Sequence, residues 1–512
     1  MIEITMHGED YEQDIRPLIK AFYPEEEIQV FKDTSELDDN NKNLTKSNAL
    51  SKEICKEESD DERIEISFVL NKTSFAITLK KENVLLKEEN DELVDTNHRS
   101  VYRNSLHRAL YRLLARETNK ELPWGTLTGI RPTKQVLDRL EVNEPEEEIR
   151  SFMKKEYYCS DEKIDVSMQV AKREREILRG IDYKNSYSIY IGIPFCPSTC
   201  NYCSFTSFPL LRHEHMVDPY LMALTKEIEY AKTCFPEKSL STIYVGGGTP
   251  TTLNEKQLAY LMETIHKNFD VASLKELTVE AGRPDSITKE KLKILKDFGV
   301  GRISINPQSM RQKTLDIIGR KHSVEQIEEA FYMAREVGHD NINMDIIVGL
   351  SGETPEDVSY TLDRIHKLNP DSLTVHTLAI KRAARLNTNK ELYANLKAQD
   401  PLTMLKLTYD YAKENGYLPY YLYRQKNMAE NLENIGYARY GKEGIYNILI
   451  MEEKQTILAL GAGGSSKFVF HNENRIERVE NVKSLKDYNE RVDEMISRKI
   501  DFLNSSGDAL WL

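Results

Sequence analysis

Tyr190-Ile191-Gly192-Ile193-Pro194-Phe195-Cys196-Pro197-Ser198-Thr199-Cys200-Asn201-Tyr202-Cys203 decides how this chain is built and what it carries. A strand candidate, Ser188–Ile193, hands over to a loop with C-x3-C-x2-C spacing. That spacing lets one tight loop present three thiolates in a triangle, as three irons of a cubane cluster require. The fourth iron then has no protein ligand and is open to chelation by a small molecule. The alternative is zinc, whose structural sites need four ligands and favour C-x2-C pairs or His partners. No further Cys or His follows before His213. The ligand set therefore favours a [4Fe-4S] cluster held by Cys196, Cys200 and Cys203.

Downstream of this loop, short β-branched runs alternate with long amphipathic stretches. Strands are expected at Ser188–Ile193, Thr242–Val245, Leu277–Glu280, Gly301–Ile305, Asn343–Val348 and Ser372–Thr377. Helices are expected at Pro219–Thr233, Glu255–Phe269, Lys289–Phe298, Ser323–Val337 and Pro355–Leu368. Parallel strands need such crossovers, so the pattern predicts an α/β fold with a partial (βα)6 barrel. Chemistry belongs at the C-terminal ends of its strands, where the cysteine loop lies.

Polar residues mark those ends. Gly246-Gly247-Gly248-Thr249-Pro250-Thr251 follows the second strand, and its glycines allow a backbone to approach a ligand closely. Glu280 closes the third strand, Gln308 follows the fourth, Asp345 lies within the fifth, and Arg320 comes twelve residues after Gln308. A carboxylate in an apolar strand is costly unless paired, so each should have a partner. Structural hydrogen bonds inside the barrel, or a solvated helix end for Arg320, are the plainer readings. A second cluster, Gly461-Ala462-Gly463-Gly464, lacks the third glycine and the βαβ context of a dinucleotide site. Close backbone approach to the barrel mouth is expected of it. Lys381, Arg382, Arg385, Arg424 and Lys426 follow the last barrel strand as either a solvated face or a carboxylate-binding set.

Upstream, Ile2–Met6 reads as a strand, Tyr11–Phe22 as a helix, Arg63–Leu70 with Ser74–Leu79 as a hairpin, and Val101–Ala115 as a helix. Asp33–Asp61 is polar and reads as a mobile insertion. The expected domains are an N-terminal α+β unit at 1–120, a helical connector at 121–185 containing Asp161–Leu178, the barrel at 186–390 and a C-terminal extension at 391–512. Six cysteines in 512 residues, with Cys55, Cys159 and Cys234 scattered, make a disulfide framework unexpected. Without a signal peptide or an apolar run of ~18 residues, the expectation is a cytoplasmic protein with no membrane span. A net charge of −13 argues against general nucleic-acid binding.

Taken together, the cysteine loop, Gly-Gly-Gly-Thr-Pro, Glu280, Gln308 with Arg320, Asp345 within Ile-Asn-Met-Asp-Ile-Ile-Val-Gly-Leu, and the late glycine cluster resemble the radical S-adenosylmethionine (SAM) coproporphyrinogen III dehydrogenase, or HemN-like, superfamily. The Tyr-Ile-Gly-Ile-Pro-Phe-Cys opening, Ile380–Leu386, Tyr423–Met428 and the long N-terminal extension look most like its HemZ branch. The resemblance covers residues 120–480 and makes the C-terminal part a HemN-like extension.

The resemblance implies a [4Fe-4S] cluster on Cys196, Cys200 and Cys203, with SAM bound to it and contacted by Tyr190, Gly247 and Glu280. It implies a second SAM held by Tyr202, Gly248, Thr249, Gln308, Arg320 and Asp345. Leu378 and Lys467 fall where the family uses backbone or apolar contacts. A tetrapyrrole substrate, a ferredoxin or flavodoxin electron donor and a monomer are expected on the same ground. The implied activity cleaves SAM to a 5′-deoxyadenosyl radical and turns coproporphyrinogen III propionates into vinyl groups, giving protoporphyrinogen IX. The chain departs from the dehydrogenase pattern at Gly192, where a histidine is usual, and at Ser204-Phe205, where Gly-Cys is usual. A haem carrier and a radical haem-degrading methyltransferase are the alternative readings.

Overall fold

Eighteen short strands and the helices between them form two compact units, seen in a computed structural model that describes residues 1–33, 63–82, 84–89, 99–379, 399–425 and 432–510. The Asp33–Asp61 insertion, apart from Asp33, lies outside these residues, as do Cys55, Lys381, Arg382, Arg385 and Lys426.

The first unit comprises residues 1–132, 142–166 and 424–432. Its sheet runs in the order β2 (Ile28–Asp33), β1 (Ile2–Gly8), β3 (Ile64–Leu70), β4 (Phe75–Lys81), β5 (Val84–Glu89). The β1 strand is parallel to both neighbours, and β3, β4 and β5 form an antiparallel meander. Alternation buries Ile2, Ile4 and Met6 against Ile15, Leu18, Ile19 and Phe22 of helix Glu12–Phe22 and Leu106, Leu110 and Leu113 of helix Arg99–Thr118. Two strands, β2 and β5, are additions to the sequence reading. Both are edge strands, and β5 is largely exposed, so neither carries a strong apolar signal.

The second unit holds residues 133–141, 167–423 and 433–512. Six parallel strands lie side by side in chain order: β6 (Ser186–Ile193), β9 (Ser239–Gly247), β10 (Glu276–Glu280), β11 (Arg302–Ser304), β12 (Ile342–Val348) and β13 (Ser372–Thr377). Two short strands, β7 (Phe195–Cys196) and β8 (Phe208–Pro209), pair within the cysteine loop. The expected βα alternation is thus present. The sheet stays open and grows at both edges. Beyond β13 it adds antiparallel β15 (Asn434–Ala438) and β14 (Leu418–Tyr423). Beyond β6 it adds parallel β16 (Thr456–Leu460), then antiparallel β17 (Ser465–Phe470) and β18 (Arg475–Glu480).

Helix boundaries follow local chemistry. Asn254 with Gln257 and Ser323 with Gln326 make capping boxes for helices Glu255–Asn268 and Val324–Val337, and Pro355 opens helix Pro355–Leu368. Leu258, Leu261, Met262 and Ile265 turn one stripe of the first of these helices inward. Among the described residues no helix is long and apolar enough to cross a membrane.

Candidate functional site

The cysteine loop is fastened to its surroundings by backbone bonds. Gly248 N and Thr249 N donate to the carbonyls of Ile193 and Phe195 at 2.9 and 2.7 Å, and Asn201 N donates to Ile318 O at 2.9 Å. A Cβ on Gly248 would meet Phe195 O at 2.6 Å, which explains the glycine by loop-to-loop packing. Thr249 Oγ1 stands 3.7 Å from Cys196 Sγ. Burial pushes the Cys196 thiol up to about 11, a cost that a metal-bound thiolate does not meet. Among the described residues no three His, Cys, Asp or Glu side chains gather as ligands of a single metal ion. The three cysteines share one loop, with Cys200 buried and Cys196 and Cys203 partly exposed.

Gly247 closes β9 with φ +111°, and a Cβ there would come within 3.0 Å of the Tyr190 hydroxyl. Tyr190, Tyr244 and Tyr446 stack, with ring centroids 4.6–6.4 Å apart. Tyr244 donates its hydroxyl to Glu280 at 2.6 Å. Burial, reinforced by repulsion from Asp345, lifts the Glu280 carboxyl to about 7 despite that bond. Asp345 also suffers burial, yet His376 and the Asn343 amide, which donates at 2.6 Å, hold its carboxyl below the usual range. His376 Nε2 lies 3.9 Å from it.

The Gln308 backbone occupies the left-handed region, φ +65°, while its N–H donates to Asp345 O at 2.9 Å and its carbonyl accepts from Ile347 N at 3.0 Å. Arg320 donates to Tyr202 Oη at 3.3 Å, to Gly282 O at 3.4 Å and to Asn306 O. Two buried polar atoms of this group, Gln308 Oε1 and Arg320 Nε, have no hydrogen-bond partner among the described residues. His107 Nε2 and Ser167 Oγ share that state elsewhere, so it marks room for a further partner without naming it. Leu378 directly follows β13 and donates its N–H to Val348 O at 3.0 Å.

The sequence-derived residues therefore fall into a cysteine-loop set and a strand-end set linked through Gly248, Thr249 and Arg320. Lys467 stands apart: on β17, its ammonium contacts Ile450 O and Glu453 Oε1 at 3.2 and 3.3 Å. Arg424 belongs to the first unit, 3% exposed, with its guanidinium on Leu127 O and 6.0 Å from the Trp124 ring. That placement is neither a solvated face nor an open carboxylate cradle. The glycine cluster at 461–464 approaches the sheet closely: a Cβ on Gly461 would meet Gly192 O at 2.6 Å. At Gly192 a Cβ would lie 3.3 Å from Leu460 O.

Sequence reasoning missed Tyr244, Tyr446, His376 and Arg283. His376 and Tyr244 had a usable signal, being polar residues inside buried strands. Arg283, three residues past the end of β10, was open to the strand-end rule. Tyr446 had none, since it comes from helix Ile445–Met451 far along the chain.

The donor set fits an iron–sulfur cluster with a small polar ligand: three thiols on one loop, a positive-φ glycine beside it, and unmet polar atoms at the strand ends. Comparison with known proteins agrees. Residues 190–365 match the radical SAM superfamily. The chain is 39% identical over 449 residues to the oxygen-independent coproporphyrinogen-III oxidase-like protein HemZ of Bacillus subtilis (strain 168), covering 86% of this chain and 90% of that protein. It is 40% identical over 197 residues to the heme chaperone HemW of the same organism, 38% of this chain and 51% of that one. It is 33% identical over 231 residues to the oxygen-independent coproporphyrinogen III oxidase of Escherichia coli (strain K12), 45% of this chain and 50% of that one. With the cysteine loop, the six parallel strands and a match along nearly the whole of HemZ in hand, the chain belongs to the HemN/HemZ-like family of radical SAM proteins, whose cofactors are a [4Fe-4S] cluster and S-adenosylmethionine.

Proposed function

We propose that this protein is an oxidoreductase that converts coproporphyrinogen III propionates to vinyl groups without oxygen, giving protoporphyrinogen IX. The observation that supports this most is the 39% identity spanning 90% of a coproporphyrinogen-III oxidase-like protein. When bound, the cluster and SAM supply a radical able to remove a hydrogen from an unactivated carbon. Each propionate would lose a β-hydrogen, CO2 and one electron, leaving a vinyl group, so no side-chain nucleophile is needed.

The protein's part is to bind, orient and shield. Cys196, Cys200 and Cys203 would hold the cluster. Glu280, beside Tyr190 and Gly247, would meet an ammonium group, and that cation would return its lifted carboxyl to the ionised state. Tyr202, Gly248, Thr249, Gln308, Arg320, Asp345 and Leu378 would form the second ligand region, where Gln308 Oε1 and Arg320 Nε await partners. Ferredoxin or flavodoxin would deliver the electron.

A haem carrier is the second reading, favoured by the 40% identity to a heme chaperone and by Gly192 and Ser204-Phe205. Anaerobic incubation of the reconstituted protein with coproporphyrinogen III, SAM and a reductant separates the two. The enzyme reading expects mass spectra showing loss of CO2 and two hydrogens per propionate. Stable one-to-one haem binding without SAM turnover would replace it with the carrier, and ring-opened haem products would point to the degrading methyltransferase.

A further inference from the structure

We propose that Arg283 is a positioning residue that acts through the sulfur of Cys200 to make the iron–sulfur cluster easier to reduce. It rests on the cysteine loop holding the cluster and is independent of which tetrapyrrole is bound.

Arg283 follows β10 and is 3% exposed. All five of its N–H donors are committed. Nε and one Nη2 hydrogen grip the two oxygens of Asp285 at 2.9 and 2.7 Å. The other Nη2 hydrogen reaches Ser198 Oγ at 3.1 Å, and Nη1 divides between Ser198 O at 3.2 Å and Cys200 Sγ at 3.5 Å. The fork therefore cannot slide away from the sulfur without breaking other bonds. Asp285 occupies the Nε–Nη2 edge while the sulfur meets Nη1, so the thiolate faces the cation and the carboxylate steadies it from the other side.

Hydrogen bonds to the ligand sulfurs and exclusion of solvent are among the factors that set a cluster's potential. Reduction adds one electron to the cluster and changes no bond or proton at Arg283. A fixed cation donating to a ligand sulfur in a buried site favours the more negative, reduced state. Asp285 subtracts from that field. The two residues should therefore move the potential in opposite directions, whereas a mere loop clamp would not.

The test uses the full chain, reconstituted anaerobically and titrated with dithionite as the one-electron donor, with the reduced cluster read by electron paramagnetic resonance and iron measured per chain. Arg283→Met should keep its iron but show at least tenfold less reduced cluster at a fixed poise, about 59 mV for a one-electron couple. Arg283→Lys should also be harder to reduce, and Asp285→Asn easier. Unchanged potentials, or shifts in the same direction for Arg283→Lys and Asp285→Asn, would overturn the proposal. Should Arg283→Met fail to hold iron, those two variants decide alone. A wild-type chain that takes up no cluster would sink the cluster reading itself, an outcome distinct from a cluster whose potential ignores Arg283.

Discussion

Two buried polar networks in the second unit obey opposite rules. One centres on Glu227, whose side chain and that of Lys499 are fully buried. Its carboxylate accepts from Gly461 N, Asn481 Nδ2 and Lys499 Nζ at 2.7–2.8 Å and from the Tyr488 hydroxyl. Lys499 reaches Asn481 Oδ1 as well. The other lies at the strand ends, where Glu280 is lifted by burial, Gln308 carries a positive φ, and Gln308 Oε1 and Arg320 Nε lack partners. A satisfied network fixes architecture, here joining helices Val217–Cys234 and Leu485–Ser506 to the 461–464 loop. An unsatisfied one carries a desolvation cost that a further hydrogen-bond partner would relieve.

The largest effect should come from breaking the satisfied network. Lys499→Met would leave Glu227 charged and buried without its counter-ion, a loss of about 3–5 kcal/mol measured by urea unfolding. A loss under ~1 kcal/mol would mean that the network is decorative.

Glu280→Gln should act the other way. The folded carboxyl titrates near 7, against 4.5 for its ordinary value, so the native state holds the proton more tightly than the unfolded chain. That contribution to stability is present below about 4.5 and is lost as pH rises through about 7. At pH 8 the apoprotein variant should be more stable than wild type by about 3 kcal/mol, with the advantage gone at pH 4. The same variant should bind SAM more weakly. Equal stability at both pH values would refute the strained-carboxylate account.

The smallest effect tests both networks with one residue each. Gln308→Ala removes an acceptor that has no partner, so unfolding free energy should stay within ~1 kcal/mol while SAM affinity falls. Asn481→Ala removes groups that have partners and should cost about 1–3 kcal/mol with SAM affinity unchanged. Swapped results would invert the assignment of the two regions.

The sequence revealed these regions unequally. The six parallel strands were legible because both faces are covered and their apolar runs are nearly continuous, as the burial of β6 and β12 shows. The cysteine loop was legible because cluster ligation needs cysteines at close spacing, and the strand-end residues stood out as polar groups in apolar runs. The Glu227 network was not, because Lys499 lies 272 residues away and neither residue carries a local pattern. The joins of β15 to β13 and of β16 to β6 were hidden for a related reason, since each brings together segments far apart in the chain.

The pairing of β6 with β16 sets a schedule for synthesis. Tyr187–Ile191 of β6 lie beside Thr456–Leu460. The ribosome must add about 260 residues between them, roughly 13–50 s at about 5–20 residues per second. Until then the strand that leads into the cysteine loop is an open edge, able to recruit other chains. Nascent protein should therefore be most prone to aggregate just before Thr456–Leu460 emerges.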